Sequence, residues 1–272
     1  MTVMVNRRER VRAATVQEIK DVARRQLVGD GPSAVSLRAI AREMGMTAPA
    51  LYRYFPSFDH LVQSLVTDLS TELCAAVEHA RDLASPDDAG ARLLAVCRAF
   101  RAWSVGHPAE FGLIFGAPTP GYGTPAYNAG PSGLTPTQTS RAAASDSAGA
   151  TGDEGAPAAE RLDNGGARFG RLFLSAFADV WRERRFPTPE ADSLPPRLTE
   201  QLAAYRQRLG STLPLGALAV VFGCWMRLYG LVSLEVFNHM SFALPDPEPF
   251  FEGELAEIAA RLDITDVEPV LH

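Results

Sequence analysis

Residues 36–55 read Ser36-Leu37-Arg38-Ala39-Ile40-Ala41-Arg42-Glu43-Met44-Gly45-Met46-Thr47-Ala48-Pro49-Ala50-Leu51-Tyr52-Arg53-Tyr54-Phe55. Ser36 is a good helix N-cap, because its hydroxyl can accept from an unpaired amide of the first turn. Leu37, Ile40, Ala41 and Met44 then fall at i, i+3, i+4 and i+7, a complete inward stripe. Gly45 follows at once, and a second helix starts near Thr47. Pro49 lies in its first turn, where a missing N–H does least harm. Leu51, Tyr54 and Phe55 supply its inner face, and Pro56 ends it. Two short helices joined by a tight, glycine-containing turn form a helix-turn-helix pattern. Neither is long enough to be stable alone. The preceding segment supplies the missing partner: Val16, Ile19, Val22, Ala23 and Leu27 recur at helical spacing, and Gly31-Pro32 stops them. The sequence predicts a three-helix head at 10–57.

Working outward, the rest reads as further helices. Leu61, Leu65, Leu69 and Leu73 mark a long one at 58–83. Leu94, Phe100 and Trp103 mark another at 91–105, broken by His107-Pro108, and Phe111, Ile114 and Phe115 a short one after it. Phe169, Leu172, Phe173, Ala176, Phe177 and Val180 form an aromatic stripe that ends near Trp181. Further helices are expected at 198–209, at 215–240 and at 250–262. The second is unusually apolar, with Leu218, Val221, Phe222, Trp225, Leu228 and Leu231 filling one face and Ala217, Val220, Leu234 and Phe237 partly off it, so a symmetric copy is its expected second partner. Period-two strand patterning does not stand out. The fold class is all-α: an N-terminal helix-turn-helix domain at 10–57 and a C-terminal helical domain at 58–265. Between Gly116 and Gly166, ten glycines and six prolines fall within 51 residues. Such a composition cannot bury enough apolar surface to offset its ordering entropy, so 117–166 is expected to be a disordered insertion.

The chain has 272 residues, a net charge of −6 and 46% hydrophobic residues. These values exclude a bulk polycation and wholesale disorder. The charge is uneven. Residues 1–60 hold ten of the 26 Lys/Arg and six of the 32 Asp/Glu, a net +4 on the head that leaves −10 on the body. A basic head suggests a polyanionic partner. Cys74, Cys97 and Cys224 match no zinc spacing and are expected to be reduced and buried. The five histidines show no metal spacing, and no nucleophile motif or phosphate-cradling loop occurs, so catalytic residues, metal and cofactor are all expected to be absent. The run Leu209 to Met226 is interrupted by Gly210, Pro214 and Gly216, which favours a buried helix over a membrane span. With no signal peptide visible, the protein is expected to be cytoplasmic and without a membrane partner.

The run from Leu37 to Phe55, within residues 12–65, resembles the DNA-binding head of tetracycline-repressor (TetR) family regulators. His107-Pro108 with Phe111 and Phe115, and later Trp225, Tyr229-Gly230 and Leu231, resemble the family's ligand-binding subgroup with a Trp…His-Gly signature. Tyr229 stands where that subgroup has histidine. The resemblance implies a homodimeric regulator, most readily a repressor, that binds a pseudo-palindromic double-stranded DNA operator and answers to a small molecule. It also implies that the last two long helices pair across a two-fold axis. One departure stands out: where the family usually has a basic residue opening the helix after Tyr-Arg-Tyr-Phe, this chain has Phe58. That departure motivates the rival reading, a helical small-molecule-binding or interaction protein without sequence-specific DNA binding.

On the inner-face assignment above, Thr47, Ala48, Pro49, Tyr52 and Arg53 are left to face a groove. Thr47 and Ala48 are small enough to approach a thymine methyl. Arg38 and Arg42, one turn apart, can hold a phosphate or make a groove contact, and Ser36 opens their helix. By resemblance Tyr52 and Tyr54 contact phosphates through their hydroxyls. In the body, Phe100, Trp103, Phe111, Phe115, Phe173, Phe177, Trp181, Phe222, Trp225 and Tyr229 are expected on inward faces, with His107, Tyr229 and Glu235 as polar contacts. This is an apolar site suited to a hydrophobic effector.

Overall fold

The computed structural model describes residues 6–116 and 165–264. Nearly all of the expected insertion, 117–164, lies outside the described residues. The described chain is all-α: α1 (Arg7–Asp30), α2 (Leu37–Glu43), α3 (Ala48–Tyr52), α4 (Phe58–Leu83), α5 (Ala89–Gly106), α6 (Pro108–Phe115), α7 (Gly165–Arg184), α8 (Pro196–Leu209), α9 (Leu215–Val236) and α10 (Glu248–Arg261).

Local chemistry sets the boundaries. Asn6 and Glu9 form a capping box at the start of α1. Ser36, Thr47, Ser57 and Asp88 each accept an amide in the first turn of α2, α3, α4 and α5. The turn between α2 and α3 needs φ +63° at Gly45, a left-handed value that glycine adopts without strain. The Met46 amide then donates to the Ala41 carbonyl at 2.8 Å and closes the turn.

In the head, Ile19, Val22, Ala23 and Leu27 of α1 are buried with Leu37, Ile40, Leu51 and Phe55. The long α4 leaves the head and becomes the spine of the body, packing on α5 and α7, while α5 also packs on α9. α8 lies on α9, and α10 lies on α9 and α5. α1 touches the body at α4 and α6.

Two expectations are corrected. The apolar helix expected to reach Met240 ends at Val236, because Asn238 turns left-handed at φ +57° and the His239 amide closes back on the Leu234 carbonyl at 2.8 Å. Asparagine tolerates that conformation. Val220, expected partly off the inward face, is 1% exposed, because α9 is covered on more than one side by its own subunit. By length and composition α9 is apolar enough to cross a membrane, and 56% of its most apolar window is buried within the fold.

Candidate nucleic-acid interface and effector site

The two short helices present one polar face. Ser36, Arg38, Arg42, Thr47, Pro49, Tyr52 and Arg53 are exposed, and Ala48 and Tyr54 are half-buried. Ser36 Oγ accepts from the Ala39 amide at 3.1 Å and Thr47 Oγ1 from the Ala50 amide at 3.4 Å. Each hydroxyl keeps its own proton for donation outward. The acidic member of α2, Glu43, is held from behind by Arg25 and Gln26 of α1 at 3.0 and 2.7 Å. The Gln26 amide and the Arg25 guanidinium hold its carboxyl below the ordinary value. Arg38 and Arg42 have no ion-pair partner among the described residues, so their charge is available to a polyanion. Phe58, at the start of α4, is half-buried against the core.

The head meets the body through a group of residues that sequence reading missed. Arg24 of α1 donates to both oxygens of Glu72 on α4, at 2.7 and 3.2 Å, and to Glu110 of α6 at 3.0 Å. Glu110 is only 4% exposed. Trp103 Nε1 donates to Glu72 at 3.2 Å. The His107 ring stacks on Trp103 at 4.8 Å, with Nε2 3.6 Å from Glu72. The bonds to Glu72 raise the Arg24 pKa despite burial, and Arg24 in turn lowers that of Glu72. The one available signal was an acid, Glu110, beside the otherwise apolar run Phe111 to Phe115. Trp103 and His107 therefore belong to this junction in the described structure.

The remaining candidate ligand residues separate into groups. Phe100, Phe111 and Phe115 are buried in one aromatic cluster with Phe169, with ring centroids 5.0–6.3 Å apart. Trp225 and Tyr229 join it from α9, stacked at 5.5 Å. Tyr229 Oη donates to the Phe115 carbonyl at 2.9 Å. Phe177 is fully buried next to Phe173, and Trp181 packs on Phe186. A small apolar cleft, partly open to solvent, lies between α7, α8 and α9. Its walls are Phe169, Gly170, Phe173, Leu174, Tyr205, Val221, Phe222 and Trp225. Of the aromatics expected on inward faces, Phe173, Phe222 and Trp225 reach this cleft. Glu235 turns instead to Arg101, paired through two bonds of 2.7 and 2.8 Å. Burial opposes the Arg101 charge, but Glu235 and Glu248 outweigh it and raise the pKa.

Comparison with known proteins bears on both halves. Residues 19–65 match a profile of bacterial regulatory proteins of the tetR family. Residues 93–258 match a tetracycline-repressor-like C-terminal domain. The chain is 40% identical over 124 residues to the HTH-type transcriptional regulator Mb1846 of Mycobacterium bovis, covering 46% of this chain and 53% of the relative. The chain thus spans about half the length of the curated relatives it matches. The solved structure of the candidate regulatory protein SCO4313 is similar with TM-score 0.66 and 29% identity, over 94% of this chain and all of that one. A protein of unknown function from Rhodococcus sp. RHA1 is similar in fold alone, with TM-score 0.51 and 17% identity over 91% of this chain and 93% of that one.

Proposed function

The chain belongs to the TetR family of bacterial regulatory proteins, and from that premise we propose that it is a ligand-responsive transcriptional repressor. It acts in the cytoplasm as a homodimer on a pseudo-palindromic operator. The observation that carries this reading is the exposed face of α2 and α3, where Arg38, Arg42, Tyr52 and Arg53 stand free of acidic partners among the described residues. Phosphate contacts from the arginines, Tyr52 and Tyr54 fix the register, and Thr47, Ala48 and Pro49 meet base edges. A hydrophobic small molecule in the body biases the spacing of two heads and so the population competent for DNA. Contiguous contacts support such coupling: Trp225 walls the cleft and stacks on Tyr229, which bonds the end of α6, whose Glu110 holds Arg24 of the head.

A second reading, a helical ligand-binding or interaction protein that no longer reads DNA, is favoured by Phe58 alone. A footprint on the DNA flanking the protein's own gene separates the two. Protection of two half-sites about 34–36 Å apart, or a multiple of that, supports the repressor. No protection, together with no salt-dependent duplex binding, overturns it.

A further inference from the structure

The inward stripe of α1 runs Leu27, Ala23, Ile19 and Val16 toward the N-terminus, in steps of three and four residues. Continued by the same steps it reaches Arg12 and then Arg8. The first three residues are buried and Val16 is half-buried, but both arginines are exposed. The face that packs on the head core therefore overhangs it, and carries cations where it does. The overhang has a definite direction. The Arg12 guanidinium lies 5.4 Å from the ring centre of Tyr54 and donates to the Arg53 carbonyl at 3.5 Å. It thus rests on the end of α3, beside the polar face described above. Arg8 is one turn, about 6 Å, further out on the same side. Its guanidinium has no ion-pair partner among the described residues. Arg10 lies on the opposite side of α1. By contrast, Lys20, Arg24 and Arg25 are all paired with carboxylates.

We propose that Arg8 and Arg12 form a second phosphate-binding edge of the DNA interface, supplying from α1 the backbone contact that Phe58 does not make from α4. The inference rests on the DNA-binding reading and adds two contact residues to it. An apolar stripe that turns to arginine where it leaves the core fits a polyanion and not a further apolar layer. Arg12 also holds Tyr54 between itself and the head, so its contact and that of Tyr54 belong to one unit.

The test uses the full-length protein and a fluorescein-labelled random-sequence duplex long enough to span two heads, read by anisotropy. Phosphate contacts dominate binding to such a probe, so no operator is needed. Between about 50 and 200 mM salt, Arg8→Ala and Arg12→Ala should each reduce the log–log salt slope by about 0.9 for every phosphate no longer neutralised. Arg10→Ala should leave slope and affinity as in the unmodified protein. Arg8 is exposed and contributes no packing, so loss of fold does not confuse its result; circular dichroism checks Arg12→Ala. If Arg8→Ala and Arg12→Ala both match the unmodified protein while that protein binds with normal salt dependence, the α1 edge is wrong and the α2–α3 face stands. If Arg10→Ala lowers the slope equally, the effect is diffuse charge and the assignment to one side of α1 falls. If the unmodified protein does not bind the duplex at all, the DNA-binding reading fails and takes this inference with it.

Discussion

Glu72 accepts two hydrogen bonds from Arg24 and one from Trp103, and this holds its carboxyl below the ordinary value of 4.5 although burial acts the other way. The sign of the consequence follows. A folded-state pKa below the unfolded one means that the unfolded chain binds more protons in acid. The stabilisation is therefore complete above about pH 4.5 and is lost as pH falls through the folded value. Glu43 shifts in the same direction. Denaturant unfolding from about pH 7 down to about pH 3 should show Glu72→Gln less stable than the unmodified protein at neutral pH, with the two curves converging in acid. Parallel curves throughout would mean that Glu72 is not a linked group. That the nine candidate residues lie on or beside one polar face of α2 and α3 could be read from the sequence, because N-caps and i, i+3, i+4 spacing are local signals. The Arg24–Glu72–Glu110 group could not, because its members lie on three helices and meet only through tertiary packing. Glu235 was singled out as a polar contact within the body, but its partner Arg101 is 134 residues away and no local pattern points to it.

At the scale of elements, most helix boundaries followed from capping chemistry, and the misplaced one shows where such reading stops. Leu234, Phe237 and Met240 continue a helical pattern, and nothing in residues 237–240 resembles a glycine or proline stop. Asn238 in the left-handed conformation ends the helix. The start of the same helix rests on a residue whose role sequence alone does not give. A Cβ on Gly216 would come within 2.2 Å of the Pro189 carbonyl oxygen and 3.2 Å of Thr188 Cβ. The close approach lets the first turn of α9 press against the loop between α7 and α8. Backbone atoms cannot give way as a flexible side chain would. Gly216→Ala should therefore destabilise by about 1–3 kcal/mol even though alanine is the better helix former. Gly29→Ala in α1 is the control, since a Cβ there meets nothing within 4 Å and the residue lies away from α9. A thermal melt in which Gly216→Ala is neutral or stabilising would show that the loop yields and that the close approach is not a constraint.

For the whole molecule the open question is what covers α9. Its apolar surplus is real, but much of it is used inside the subunit: Ala217, Leu218, Val220, Val221, Cys224, Leu228, Leu231 and Val232 are all buried. What is left over is a narrow edge. Met226 is 65% exposed, Leu234 44% and Phe237 42%, with Gly230 between them, and a Cβ at Gly223 or Gly230 would meet nothing. Nearby Phe250 is exposed, as are Gly253, Ala256 and Ala260 of α10. Exposed large apolar side chains beside small residues suit a second helix pair approaching closely, and a symmetric copy is the commonest partner for such a face. This edge is the one we assign to the proposed homodimer. Val220 is buried within the subunit and is no test position: a charge there would unfold the subunit and say nothing about assembly. Met226 is the clean position, because it is exposed in the subunit and makes no ring or polar contact among the described residues. Burying a methionine contributes about 1.5–3 kcal/mol, and it occurs twice in a two-fold interface. Met226→Arg should therefore shift the protein to monomer in light scattering at micromolar concentration while leaving helix content and melting of the subunit close to unchanged. Operator affinity should fall with it, since one head has too few base contacts to bind specifically. Phe237→Arg should split the dimer as well, but with a stability loss of its own, because Phe237 also packs on Phe111 at 5.9 Å. An unmodified protein that scatters as a monomer would sink both the interface and the two-headed repressor built on it. A Met226→Arg protein that remains dimeric would move the interface to another face and leave the repressor standing.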